Sequence, residues 1–186
     1  MEKRRKILDA ALKLFVEYGF HGTPTSKIAE EAGVANGTLF NKFKSKDDLI
    51  IALYVDIKTR MIEYVVENST QENSLKDTMK GQYLASLYWA LDNKLEFRFV
   101  EQFKSSPFLS LIAPEEIEKS IKPFCEMLHK GISDSIIKPL PVDYIFTLIN
   151  SHTYGLNQYL LKNEFPKAKQ HQIISDTFEL LWDMIT

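Results

Sequence analysis

The stretch over residues 25–46, TSKIAEEAGVANGTLFNKFKSK, narrows the possible folds of this chain more than any other. Ile28, Ala29 and Ala32 fall on one face of a short helix, and Gly33 stands where that helix needs a left-handed residue to end. Val34, Leu39 and Phe43 then resume the apolar spacing after a break too short for anything but a sharp turn. Two short helices must therefore cross over a small shared core, which is a helix-turn-helix. The polar residues left on the outer face of the second helix are Asn36, Thr38, Asn41 and Lys42, all able to bond base edges or phosphates.

Over the run IAEEAGVANGTLFNKFKSKDDL the chain resembles the TetR family of bacterial one-component regulators, whose pattern is I-A-x-x-A-G-V-s-x-G-T-L-Y-x-h-F-x-s-K-x-x-L. The resemblance covers the first quarter of the chain. It implies a DNA-binding head over residues 1–46 and an effector-binding, dimerising body over 47–186. Carried over by position, the DNA contacts are Thr25, Ser26, Lys27, Asn36, Thr38, Phe40, Asn41, Lys42 and Lys46, with phosphates met by Thr25, Lys42 and Lys46 and base edges by Asn36, Thr38 and Asn41. Thr25 and Ser26 also place hydroxyls at a helix start, which suits a backbone phosphate. Two positions depart from the pattern. Ala35 stands where the family places a capping Ser, so the cap comes from Asn36 or is lost, at a cost of about 0.5–2 kcal/mol. Phe40 replaces a Tyr whose hydroxyl, in the family, reaches a phosphate.

Charge is distributed in keeping with this division. Residues 1–46 hold nine basic and five acidic residues, net +4, and the remainder is net −6. An anion-seeking head on an acid-rich body suits nucleic-acid binding. With 45% hydrophobic residues in 186, the chain can bury a real core. No apolar run is long enough to span a membrane and MEKRRKILDAALKLF does not read as a signal peptide, so the expected location is the cytoplasm. Cys125 is the single cysteine and reads as a buried spectator.

Taken in order, every segment reads as helix. Ile7, Leu8, Ala11, Leu12, Phe15 and Val16 form the stripe of a first helix, ended by Gly19, and either Thr23-Pro24 or Thr25 caps the next. Ser45 with Asp47 and Asp48 opens a long connector running to about Glu67. A polar loop is expected over 68–74, and Ser74 opens a helix that is apolar nearly all round and so centrally buried. A short helix carrying Phe97, Phe99 and Phe103 closes at Pro107. Beyond Pro114, a stripe runs from Ile117 through Leu128 to Ile136, with a kink near Ser120 or a split into two helices expected from Pro123. Two more helices follow over 142–162 and 167–185, separated at 164–166. The expectation is an all-α chain of about nine helices.

The sequence offers no catalytic constellation. His129, His152 and His171 are scattered, without metal-ligand spacing, nucleophile elbow or phosphate loop, so no enzyme, cofactor or metal is expected. The resemblance places an effector cavity among the middle helices, where Tyr83, Leu87, Phe99, Phe103, Phe124, Leu128 and His152 would line it. That lining is apolar and aromatic, so a small hydrophobic or aromatic effector is expected. One recognition helix reads too few bases, so a homodimer on a palindromic double-stranded DNA operator is expected. The last two helices would form it, with Ser151 and Gly155 permitting close approach and Phe178 and Trp182 as buried anchors. The reading is a transcriptional repressor released by its effector. The alternative, an all-α small-molecule binder or enzyme with a structural helix-turn-helix, leaves Asn41, Lys42 and Lys46 without a reason.

Overall fold

The computed structural model describes residues 2–69, 74–163 and 165–186, and among them there is no strand. The helices are α1 (Glu2–Gly22), α2 (Thr25–Glu31), α3 (Asn36–Lys42), α4 (Lys46–Asn68), α5 (Leu75–Asp92), α6 (Lys94–Lys104), α7 (Pro114–Ser133), α8 (Val142–Asn163) and α9 (Lys167–Ile185), with a 3-10 turn at Pro107–Leu111 after α6. The all-α expectation holds. Residues 70–73 of the expected loop and Glu164 of the expected break lie outside the described residues.

Packing groups these helices into two units. One comprises the chain up to Met61 with Asn93–Ala113, the other Ile62–Asp92 with Pro114–Thr186. The sequence reading divides the chain at 46/47; by packing, much of α4 and all of α6 belong with the first three helices.

The first unit is organised by aromatic residues distant in sequence. Gly19 leaves the helical path with φ 72° and ψ 171°, a left-handed backbone that glycine adopts without strain. The turn beyond it carries Phe20 inward, where its ring meets Phe15 at 5.4 Å, Phe99 at 5.7 Å and Phe108 at 5.2 Å, all edge to face. Tyr54 of α4 stacks on Phe103 of α6 at 4.0 Å. Asp56 accepts bonds from Arg5 at 3.0 Å and Arg60 at 3.1 Å, and Arg60 also reaches Glu96 at 3.5 Å. This chain of charges ties α1, α4 and α6 together.

The second unit buries Met79, Tyr83 and Leu87 of α5 against Leu128 of α7, Ile145, Ile149 and Leu160 of α8, and Ile174, Phe178 and Leu181 of α9. α5 also buries Ala85, Trp89 and Ala90, consistent with its expected central place. Glu179 of α9 accepts from Lys76 at 2.6 Å and Lys80 at 2.7 Å of α5. The backbone N–H of Lys138 donates to the Ile185 carbonyl at 2.8 Å and its Nζ to the Met184 carbonyl at 2.9 Å, closing the end of α9 with a cation where carbonyls are left free. Of the two outcomes expected at Pro123, the division does not occur: α7 continues through it as one helix. Its buried side is shorter than the stripe suggested: Ile117 and Ile136 are exposed, the helix ends at Ser133, and Ile137 is buried in place of Ile136. Ser135, at φ 57°, reverses the chain after the helix and shifts the register of the residues beyond it.

Candidate nucleic-acid interface

α2 and α3 are joined by a turn whose geometry rests on two residues. Gly33 has φ 64°, its N–H donates to the Glu30 carbonyl at 3.0 Å, and the Val34 N–H reaches back to the Ala29 carbonyl at 2.9 Å. These two bonds form a Schellman closure around the left-handed stop expected at Gly33. Leu39, fully buried, and Phe43, nearly so, then anchor α3 on the core shared with α1 and α2. Of the two starts expected for α2, the one at Thr23-Pro24 is observed. Pro24 occupies the capping position with no side-chain bond, and the buried Thr23 hydroxyl lies 2.8 Å from the Gly19 carbonyl and 3.1 Å from that of Leu14, fastening the turn to α1. Thr25 is already the first helical residue. α3 likewise begins from Ala35 without a side-chain cap, so of the two outcomes foreseen for Asn36, the cap is lost.

The face this presents is polar and open. Asn36, Asn41 and Lys42 are exposed, Thr38 is partly so, and Phe40 is 43% exposed on the same short helix. Ser26 is exposed and Thr25 half-buried at the start of α2. Lys27 lies with its ammonium 3.8 Å from the centre of the Tyr18 ring, held by a cation–π contact. Lys46 is half-buried at the start of α4, next to Ser45, whose hydroxyl accepts the Asp48 N–H at 3.0 Å as expected of a cap.

The residues assigned to an effector cavity do not stay together. Phe99 and Phe103 are fully buried in the first unit among Phe15, Phe20 and Tyr54, because the α6 stripe packs toward α1 and α4. Tyr83, Leu87 and Leu128 share the core of the second unit, with Phe124 packed against it. There the Tyr83 hydroxyl lies 3.2 Å from Nδ1 of His152, joining α5 to α8. Burial holds the Tyr83 hydroxyl protonated and pushes the His152 imidazole below its usual range, so at neutral pH both are uncharged. Asn157 of α8 was not anticipated. It is 3% exposed and among the described residues its Oδ1 has no hydrogen-bond partner, and the signal for it was an amide on an apolar helix stripe. Lys58 was also missed. It is partly buried, its Nζ lies 3.8 Å from the Met61 sulfur, and burial together with the Lys104 charge pushes it down to about 8.

Of the four expected interface residues, Ser151 and Gly155 are exposed, and a Cβ at Gly155 would meet nothing within 4 Å. Phe178 and Trp182 are not surface anchors. They are 1% and 9% exposed within the single chain, with rings 6.2 Å apart, because the α9 apolar stripe faces α5. The large apolar residues that α8 and α9 do leave outside are Tyr144, Tyr154, Tyr159, Leu180 and Met184.

Comparison with known proteins agrees with this architecture. The family model described as bacterial regulatory proteins, tetR family, matches residues 7–53. The crystal structure of a tetR family transcription regulator from Shewanella sp. PV-4 superposes with a TM-score of 0.91 at 28% identity, covering 98% of this chain and 97% of that one. The fatty acid metabolism regulator protein of Bacillus subtilis is 36% identical over 77 residues, 41% of this chain and 40% of that protein. A second Bacillus subtilis protein, the HTH-type transcriptional regulator YhgD, is 27% identical over 75% of this chain and 74% of its own length. The chain spans between 26% and 40% of the length of the first five curated relatives it matches.

Proposed function

The chain belongs to the tetR family of bacterial regulatory proteins, and on that basis we propose that it is a DNA-binding transcriptional repressor. Residues 1–46 are the operator-reading head and 47–186 the effector-binding and dimerising body. The observation that carries this reading is the outer face of α3, where Asn36, Asn41 and Lys42 stand exposed on a helix whose other side is locked into the core by Leu39. Phosphates are met by Thr25, Ser26, Lys27, Lys42 and Lys46, and base edges by Asn36, Thr38 and Asn41, with Phe40 offering apolar contact in place of a hydroxyl. The protein works in the cytoplasm as a homodimer on a palindromic operator and is not an enzyme. Among the described residues no helix is long and apolar enough to cross a membrane.

The effector in this reading is a small apolar or aromatic molecule held in the second unit near Tyr83, Leu87, Phe124, Leu128 and His152. Asn157 supplies a polar anchor there, since its Oδ1 can accept a bond from the ligand. Phe99 and Phe103 leave the lining. An effector acts only by its differential affinity for two states of the body, and α4, which contributes to both units, carries the change to the head.

A mobility-shift assay with DNA from immediately upstream of the chain's own coding region tests this. The parent protein is expected to shift that duplex, and Asn41→Ala to lose about 1–3 kcal/mol on it with little loss on unrelated DNA. Apolar compounds, and not sugars or phosphate esters, are expected to release the shifted complex. Absence of any shift, or equal loss on both duplexes, overturns the reading.

A further inference from the structure

The basic residues of positions 1–46 sort into two groups. Lys6 is paired with Glu2 at 2.7 Å, Arg5 with Asp9 at 2.7 Å and Asp56 at 3.0 Å, and Lys13 with Glu31 at 3.8 Å. Among the described residues, Lys3, Arg4, Lys27, Lys42, Lys44 and Lys46 have no carboxylate within ion-pair distance, Lys27 being seated on the Tyr18 ring. Arg4 lies in the first turn of α1, far in sequence from α3, yet its guanidinium stands 5.5 Å from the centre of the Phe43 ring. Phe43 is the residue that closes α3, and Lys42 and Lys44 flank it. Phe43 is 5% exposed, while Arg4 itself is exposed.

We propose that Arg4 is a DNA-phosphate contact, held by Phe43 at the end of α3 so that the first turn of α1 extends the operator-binding face, with Lys44 beside it. The proposal rests on the DNA-binding reading above. A guanidinium over a ring keeps its five N–H groups in its own plane, free to bond outward, and the ring fixes its position without neutralising its charge. A cation placed for stability would be expected beside a carboxylate, as Arg5 and Lys13 are. Arg4 has a positioning contact and no counter-ion, which is the arrangement an incoming phosphate completes.

The test measures affinity against salt for a short mixed-sequence duplex, where binding is electrostatic. Arg4→Met keeps an apolar cover over Phe43 and removes the charge, Arg4→Lys keeps the charge, and Lys13→Met removes a cation already paired. Arg4→Met is expected to lower the salt slope by about one, so that over a fourfold rise in salt the parent loses about three to four times more affinity than the variant. Arg4→Lys and Lys13→Met are expected to keep the parent slope. A parent slope retained in Arg4→Met, with unchanged thermal unfolding, overturns the assignment of Arg4 while leaving the DNA-binding reading in place. A parent that binds no duplex at any salt overturns both.

Discussion

Lys58 shows how a single side chain can oppose the packing around it. Among the described residues its ammonium meets the Met61 thioether and the like charge of Lys104, and its affinity for a proton falls to about 8 from the usual 10.5. Because the folded value is the lower one, Lys58 is charged in both states below pH 8 and its desolvation then opposes folding. Between about 8 and 10.5 the unfolded chain holds the proton and the folded chain has released it, so stability gained from this residue rises with pH. Lys58→Met is therefore expected to raise the melting temperature at pH 7, with the advantage over the parent shrinking as pH rises from about 8 to about 10.5. Melting curves across that range check it, and an advantage independent of pH would show that the charge is not the cause. No periodicity argument could have found this, since the position looks like any polar residue on a half-exposed helix.

At the level of helices and turns, Gly33 and Gly37 have opposite roles. Gly33 sits at φ 64° with open space around a would-be Cβ, so Gly33→Ala meets no clash and loses only the left-handed backbone, about 1–2 kcal/mol. Gly37 lies inside α3 with ordinary helical backbone and equally open space, so Gly37→Ala is expected to stabilise by about 0.5–1 kcal/mol. Denaturant midpoints of the two variants should move in opposite directions; movement in the same direction would refute this account of the turn. The glycine stop was legible because capping is local chemistry, as were the caps at Ser45 and Ser74, whose hydroxyls accept the Asp48 and Asp77 N–H groups at 3.0 Å. The departure at Ala35 was legible too, with the choice between a cap from Asn36 and none left open. The course of α7 through Pro123 was not, because a proline removes one bond and the surrounding packing decides whether the helix ends there.

For the molecule as a whole, the dimer proposal now depends on the outer faces of α8 and α9. Phe178 and Trp182 face their own core, so changing either would test folding and not association. Gly155 is the better probe, being exposed with nothing near its Cβ direction. Gly155→Arg should favour the helix itself by up to about 1 kcal/mol, so a loss of association cannot be blamed on unfolding. Sedimentation is expected to give a dimer for the parent and a monomer for the variant; a dimeric variant places the interface elsewhere. The number and order of helices, the turn between α2 and α3, and the polar outer face of α3 were all readable in the amino-acid order. These depend on neighbours within a few positions, through helical period, caps and glycine backbone. Three outcomes emerged only from packing: Phe99 and Phe103 join Phe15 and Phe20, α9 turns Phe178 inward, and among the described residues some cations find carboxylates while others have none within reach. Each of those outcomes depends on a partner on another element, and an apolar stripe records that it will be buried without recording against what.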